Sequence, residues 1–165
     1  MFEILNISPS FLRGLIPAMT SENTPVGYFV HQSGFHLDGA GTGYGWQAFD
    51  HSPSTNWYSQ SSNSPWWLSI SFPHTVQVSK YSLSNRTTTA YTNSPKSWLF
   101  QGSGDGSVWE TIHTVSGSED NTPGSKREYS LSAVALYQHF RIYVTDKNGA
   151  PVDRYISLNA FEIFS

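Results

Sequence analysis

Cysteine is absent from the 165 residues of this chain. Redox catalysis, thiolate metal sites and any disulfide staple are excluded with it. A chain of this length fits one domain and buries roughly two-thirds of its unfolded surface, so a core can hold without a staple. Charge is scarce as well: 9 Lys and Arg stand against 12 Asp and Glu, a formal balance of −3. The basic residues fall singly and offer no stripe to a phosphate backbone, which argues against nucleic acid as a partner. No apolar run approaches the ~20 residues that span a bilayer. The stretch from Met1 to Met19 is broken by Glu3, Pro9 and Arg13 and makes a poor signal peptide. Enzyme signatures are missing too. There is no Gly-x-Ser-x-Gly elbow, no His-Glu-x-x-His and no P-loop, and the scattered acids lend no support to a paired-carboxylate glycosidase. The expectation is a protein that is not an enzyme.

What the chain does have is rings and turns. Aromatics make up 15% of it, with 13 Gly and 9 Pro. Ser, Thr, Asn, Gly and Pro clusters interrupt the apolar runs about every ten residues, the punctuation of an all-β sandwich or barrel. Leu68, Ile70 and Phe72 alternate with Ser69 and Ser71, and Phe140, Ile142 and Val144 alternate with Arg141 and Tyr143. Both are strands buried on one face only. Further strands are expected at Tyr28 to Gln32, Val76 to Leu83, Ser97 to Gly102, Val108 to Val115, Arg127 to Leu131 and Ile156 to Phe164. The apolar phase changes between Val78 and Tyr81, which places a bulge near Ser79 and Lys80. Asp105-Gly106 reads as a hairpin turn, and only Ser10 to Leu15 hints at a helix. Long polar loops remain at 33–45, 59–65, 85–96, 116–126 and 146–154, and loops of that length usually carry function.

Two segments in fixed order, Ala48 to Trp57 running on to Trp67–Phe72, and later Ser94 to Trp109, resemble the discoidin domain. That family is also called coagulation factor 5/8 type C or galactose-binding-like. The resemblance runs from about Tyr28 to Ser165 and implies a jelly-roll β-sandwich that binds ligands without cutting them. It places residues 25–165 in the domain and leaves 1–24 as an attachment segment, a linker or an extra edge strand. The run Pro17 to Pro25 looks like the lead-in to discoidin-like modules of bacteriophage tail and bacterial surface proteins.

Sugars are recognised by planar or forked donors to vicinal hydroxyls and by a ring packed on the apolar C–H side. In the loop Asn85 to Asn93, Arg86 and Asn93 can donate and Tyr91 can stack. The resemblance implies the same arginine and asparagine. A solvated loop whose arginine pairs with a nearby acid is the alternative. The loop Gly34 to Gly45 has Gly-x-Gly spacing, but no helix follows to hold a phosphate, so nucleotide binding is rejected. Family position makes its His36 a ligand residue, with Asp38 beside it; a lone loop histidine is otherwise merely solvated. Tyr155, flanked by Asp153 and Arg154, is a further ring, and Trp66 a possible exposed platform. Trp57, Trp67, Trp98 and Trp109 match core or semi-core positions.

The resemblance also implies a structural calcium ion, held by Asp50 and Thr55 with a Glu from the last strand. Here His51 stands where relatives carry Gly and Ser52 where they carry Asn. Ala160 occupies the usual Glu position, and Glu162 follows two residues on. Without metal, Asp50 and Thr55 would close the turn by hydrogen bonds. Asn6 and Asn85 head N-glycosylation sequons. Taken together, the expected function is a non-catalytic carbohydrate-binding module that attaches to a surface glycan. It would be displayed on a homo-oligomer or larger assembly such as a phage tail, virion or cell surface. A structural or protein-interaction module and a lipid head-group binder, using Phe35, Leu37 and Tyr91 at the loop tips, are the rival readings.

Overall fold

The structure, a computed structural model, describes residues 14–37, 41–60, 64–88 and 93–165. Its strands are β1 (Phe29–Gln32), β2 (Trp57–Tyr58), β3 (Trp66–Ser84), β4 (Pro95–Ser103), β5 (Glu110–Val115), β6 (Lys126–Lys147), β7 (Ser157–Leu158) and β8 (Ala160–Phe164). A single 3₁₀ turn, Gly45–Phe49, interrupts them.

Two long strands build both layers of the sandwich. The segments expected as separate strands before and after Pro73 are one strand, β3, and those at Arg127 to Leu131 and Phe140 to Val144 are likewise one, β6. Their antiparallel register slips between Ser71 and Val76, where Pro73 has no N–H to give the ladder. A second slip falls between Val78 and Lys80, at the bulge that the change of apolar phase anticipates. Before the first slip, β3 and β6 lie in a front sheet of order β1-β3-β6-β4-β5. Beyond it they pair again, with β8 on the free edge of β3.

The two layers meet through rings. Tyr81 from the back stacks on Phe100 from the front at 4.2 Å, and Phe161 meets Phe100 edge-on at 6.2 Å. Trp57, Trp98, Phe49, Phe72 and Phe140 fill the same core. Each such ring contributes about 1.5–3 kcal/mol by leaving water. The Tyr81 hydroxyl is not stranded inside: it receives the Trp98 indole N–H at 3.0 Å and meets His113 Nδ1 at 2.8 Å. Burial pushes that phenol well above its ordinary value, so it stays neutral.

Trp66 is buried, not an exposed platform, because it shares the inward phase of Leu68 and Ile70. Trp67 faces outward and is half-buried. Residues 14–24, the described part of the expected attachment segment, linker or extra edge strand, lie against the sandwich. Ile16 and Met19 enter the core, Leu15 N donates to Ile163 O, and Gly14 bridges Phe164 at the edge of β8. Their apolar side chains pack into the sandwich ahead of residue 25, where the domain was expected to begin. Residues 1–13, including Asn6 and most of the helical hint, lie outside the described residues.

Candidate functional site

At one pole the loops after β3, before β6 and after β6 are tied together by a polar clamp centred on Asn85. Its amide Nδ2 donates to Asp120 O and Thr122 O, both at 3.0 Å, and its Oδ1 accepts from Arg127 Nη2 at 2.9 Å. Arg127 also donates to Pro95 O and Ser118 Oγ, and lies 5.1 Å over the Trp98 ring. Ser94 Oγ reaches Asp120 O, and Asn148 Nδ2 reaches Ser94 Oγ and Ser118 O. Asn85 is fully buried, so its sequon presents no acceptor for a glycan on the folded domain.

The clamp fixes the next residue. Half-buried Arg86 packs its guanidinium 4.9 Å from the centroid of the Tyr58 ring, and its carbonyl accepts from Gly124 N. Tyr155 meets the same Tyr58 ring edge-on at 6.4 Å. His36 joins from the third side: its backbone N–H donates to Tyr58 O at 3.0 Å, while its side chain is exposed. That approach needs Gly43, since a Cβ there would sit 1.9 Å from His36 O. Gln47 secures the chain on either side by accepting from Gly43 N and Tyr44 N. Arg86 and Tyr155 therefore meet the ring of one residue, Tyr58, and His36 meets its backbone; the sequence reading did not single Tyr58 out. Its only sequence signal is its place beside Trp57 at the mouth of a long loop.

Asn93 reaches the same cluster by its backbone, its carbonyl accepting from Ser157 N, and Ser157 pairs with Tyr58 in the β2–β7 ladder. Its side chain is buried under Gly149, where a Cβ would lie 2.1 Å from Oδ1, and neither amide atom has a partner among the described residues. Tyr91 and Asp38 lie outside the described residues. On the flank of the pole, Trp66, Lys147, Asp153 and Arg154 line a depression of about 460 Å³.

The turn expected to hold calcium is closed by hydrogen bonds. Asp50 accepts from Ser52 N at 2.8 Å and from Thr55 Oγ1 at 2.6 Å. Asn159 Nδ2 donates to Ser52 O and Thr55 O, at 3.0 and 2.7 Å. An amide thus engages the carbonyls that a cation would draw inward. Glu162 is held elsewhere, by Lys126 at 2.7 Å and Ser82 Oγ at 3.2 Å. No three His, Cys, Asp or Glu side chains gather for a metal among the described residues. Calcium takes six to eight oxygen ligands, and the residues present do not fit that demand.

A two-layer jelly-roll of this topology defines a discoidin-like domain. The model of the F5/8 type C domain matches residues 35–156, and the chain belongs to that family. Solved structures agree on the fold. CpGH89CBM32-5 from Clostridium perfringens, in complex with GalNAc-β-1,3-galactose, superposes with a TM-score of 0.72 at 16% identity, over 84% of this chain and 96% of that one. The family 32 module of NanJ from the same organism, in complex with galactose, gives 0.69 at 13% identity, over 84% and 94%. Chitosan-binding module 2 from a Paenibacillus chitosanase/glucanase, with chitotriose, gives 0.66 at 21%, over 82% and 95%. Among curated proteins, the Drosophila melanogaster E3 ubiquitin-protein ligase Ufd4 is 35% identical over 74 residues. That match covers 42% of this chain and 3% of the ligase.

Proposed function

We propose that the domain binds a surface glycan without cutting it, through the pole where Arg86, Tyr58, Tyr155 and His36 converge. The observation that carries this is the guanidinium of Arg86 held on the Tyr58 ring beside Tyr155. A cation fixed on one aromatic leaves its forked N–H groups oriented, and forked donors suit vicinal hydroxyls. Tyr155, half-buried, offers ring surface for the C–H side of a sugar, and exposed His36 donates from the rim. Asn93, its amide covered by Gly149, shapes the floor. Tyr91 and Asp38 extend the same loops. The carbohydrate complexes of the structural relatives support the ligand class.

Neutral hydrogen bonds add only about 0.5–1.5 kcal/mol each, so a single site is weak. Attachment then requires several copies, because linked sites gain avidity without new contacts. The setting we infer is display on an oligomer or larger surface assembly, extracellular or on a virion. No described helix is long and apolar enough to cross a membrane.

A glycan array probed with the multimerised protein tests this. Wild type should bind a defined set of glycans, and Arg86→Ala should weaken that binding by about tenfold or more, as loss of a charge-assisted contact implies. Undiminished binding by Arg86→Ala would displace the site; silence on every glycan would favour a structural or protein-interaction role.

A further inference from the structure

The outer face of the front sheet holds a second set of groups, distinct from those of the loop pole. One row runs across every strand of that sheet: His31, Ser69, Arg141, Gln101 and Thr111 are successive partners. The row on one side is Phe29, Ser71, His139 and Ser103. On the other side stand Trp67 and Tyr143. Of these, His31, Trp67, Ser69, Ser71, His139 and Arg141, together with Trp109 and Asp105 at the β4–β5 hairpin, line a depression of about 430 Å³. It continues into a neighbour of about 420 Å³, which shares His31, Ser71 and His139 and is bounded by Phe29 and Pro73. The result is a groove with room for more than one ring of a chain, in the size range of small-ligand sites.

Arg141 is its centre. The guanidinium lies 4.2 Å from the Trp109 ring centroid and 4.9 Å from that of Tyr143, and its Nε donates to Gln101 Oε1 at 2.7 Å. Its terminal nitrogens have no hydrogen-bond partner and no carboxylate within ion-pair distance among the described residues. Such an arginine is pre-organised, because its plane is set by two rings and one amide while its fork is open. Asp105, the one acid on the lining, is occupied by its own turn: Oδ1 accepts from Ser107 N, Val108 N and Ser103 Oγ. His139 Nδ1 is paired with Ser71 Oγ at 2.7 Å.

We propose that this groove is a second binding site, and that it takes an acidic saccharide: a sugar carboxylate on the fork of Arg141, with sugar rings against Trp67 and Trp109. A guanidinium and carboxylate match as two parallel N–H···O bonds, and the unpaired charge on the sheet supplies the complementarity. Hydroxyls of the same chain meet His31, His139 and Ser69. The site is independent of the loop pole, and so is its test.

Titration of the full chain with tri-galacturonate, a heparin tetrasaccharide and 3′-sialyllactose, followed by NMR at the tryptophan indole N–H signals, examines it. At least one acid should shift Trp67 and Trp109, and its carboxyl-reduced form should bind about tenfold more weakly or worse. Arg141→Gln should weaken the acid by a similar factor, while Arg86→Ala leaves it within about twofold. If Arg141→Gln melts early, Arg141→Lys keeps charge and stem but not the fork and should also bind more weakly. The proposal is overturned if no acid moves either indole, if the reduced sugar binds equally, or if the folded Arg141 variants bind like wild type.

Discussion

Replacing Asn85 by Ala removes three hydrogen bonds from beneath Arg86, and their worth can be built up one at a time. Asp120 O and Thr122 O each lose one donor but keep another, from Ser94 Oγ and Ser125 N. Those two losses fall in the ordinary range of about 0.5–1.5 kcal/mol each. Arg127 is the larger matter. Burial already pulls its guanidinium below its ordinary value, and Nη2 would lose its acceptor. An unsatisfied buried donor costs about 1–3 kcal/mol. The sum centres near 4 kcal/mol, which for a domain of this size lowers Tm by about 8–16 °C. Thermal melts by circular dichroism read it directly, and glycan binding should weaken as Arg86 loses its support. A variant melting within about 2 °C of the parent would refute the clamp.

Three further outcomes follow from the loops. His51 holds φ at +60°, where a non-glycine residue is strained, so His51→Gly should stabilise the domain by about 1 kcal/mol in urea unfolding, and an unchanged or lower midpoint contradicts this. With Asn159 bridging the Asp50 turn, excess chelator should leave Tm unmoved and added calcium should not raise it; a calcium-dependent rise would restore the metal. Hydrogen bonding by Ser125 first, and by Thr122, holds the Asp120 carboxyl below the ordinary aspartate value. A depressed folded value gives stability that is present above the unfolded value and lost as pH falls through the folded one. Asp120→Asn should therefore be less stable than the parent at neutral pH yet lose less of its stability between about pH 5 and 3, whereas parallel curves would exclude the linkage.

Much of this fold is legible in the chain because one-sided burial imposes a period of two. The alternation of Leu68, Ile70 and Phe72 with serines locates the front of β3, and the broken phase at Ser79 and Lys80 locates its bulge. The same phase already sends Trp66 inward, so its burial was available to a stricter count. That the segments flanking Pro73 form one strand was not available, since proline ordinarily ends a ladder and only pairing with β6 carries the chain past it. Ile16 and Met19 were hidden because they precede the family pattern, in a stretch where Gly14 and Pro17 break any regular period. At the pole, Arg86, His36 and Tyr155 were named by loop position and do share a neighbourhood. Tyr58 escaped because a buried ring beside Trp57 reads as core. Asn93 read as a donor, but only the fold shows Gly149 lying over it. The amide of Asn159 escaped for another reason: it reaches the Ser52 and Thr55 carbonyls only when the far end of the chain arrives.

The central claim is that a glycan seats on the Tyr58 cluster. An NMR titration of the isotope-labelled domain with the strongest glycan of the array addresses it residue by residue. The account predicts the largest shifts at the Arg86 side-chain N–H groups, the Tyr155 ring and His36, with the back-sheet outer residues Lys80, Ser82 and Glu162 still. Shifts confined to other surfaces, with Arg86 and Tyr155 unmoved at saturation, would contradict it.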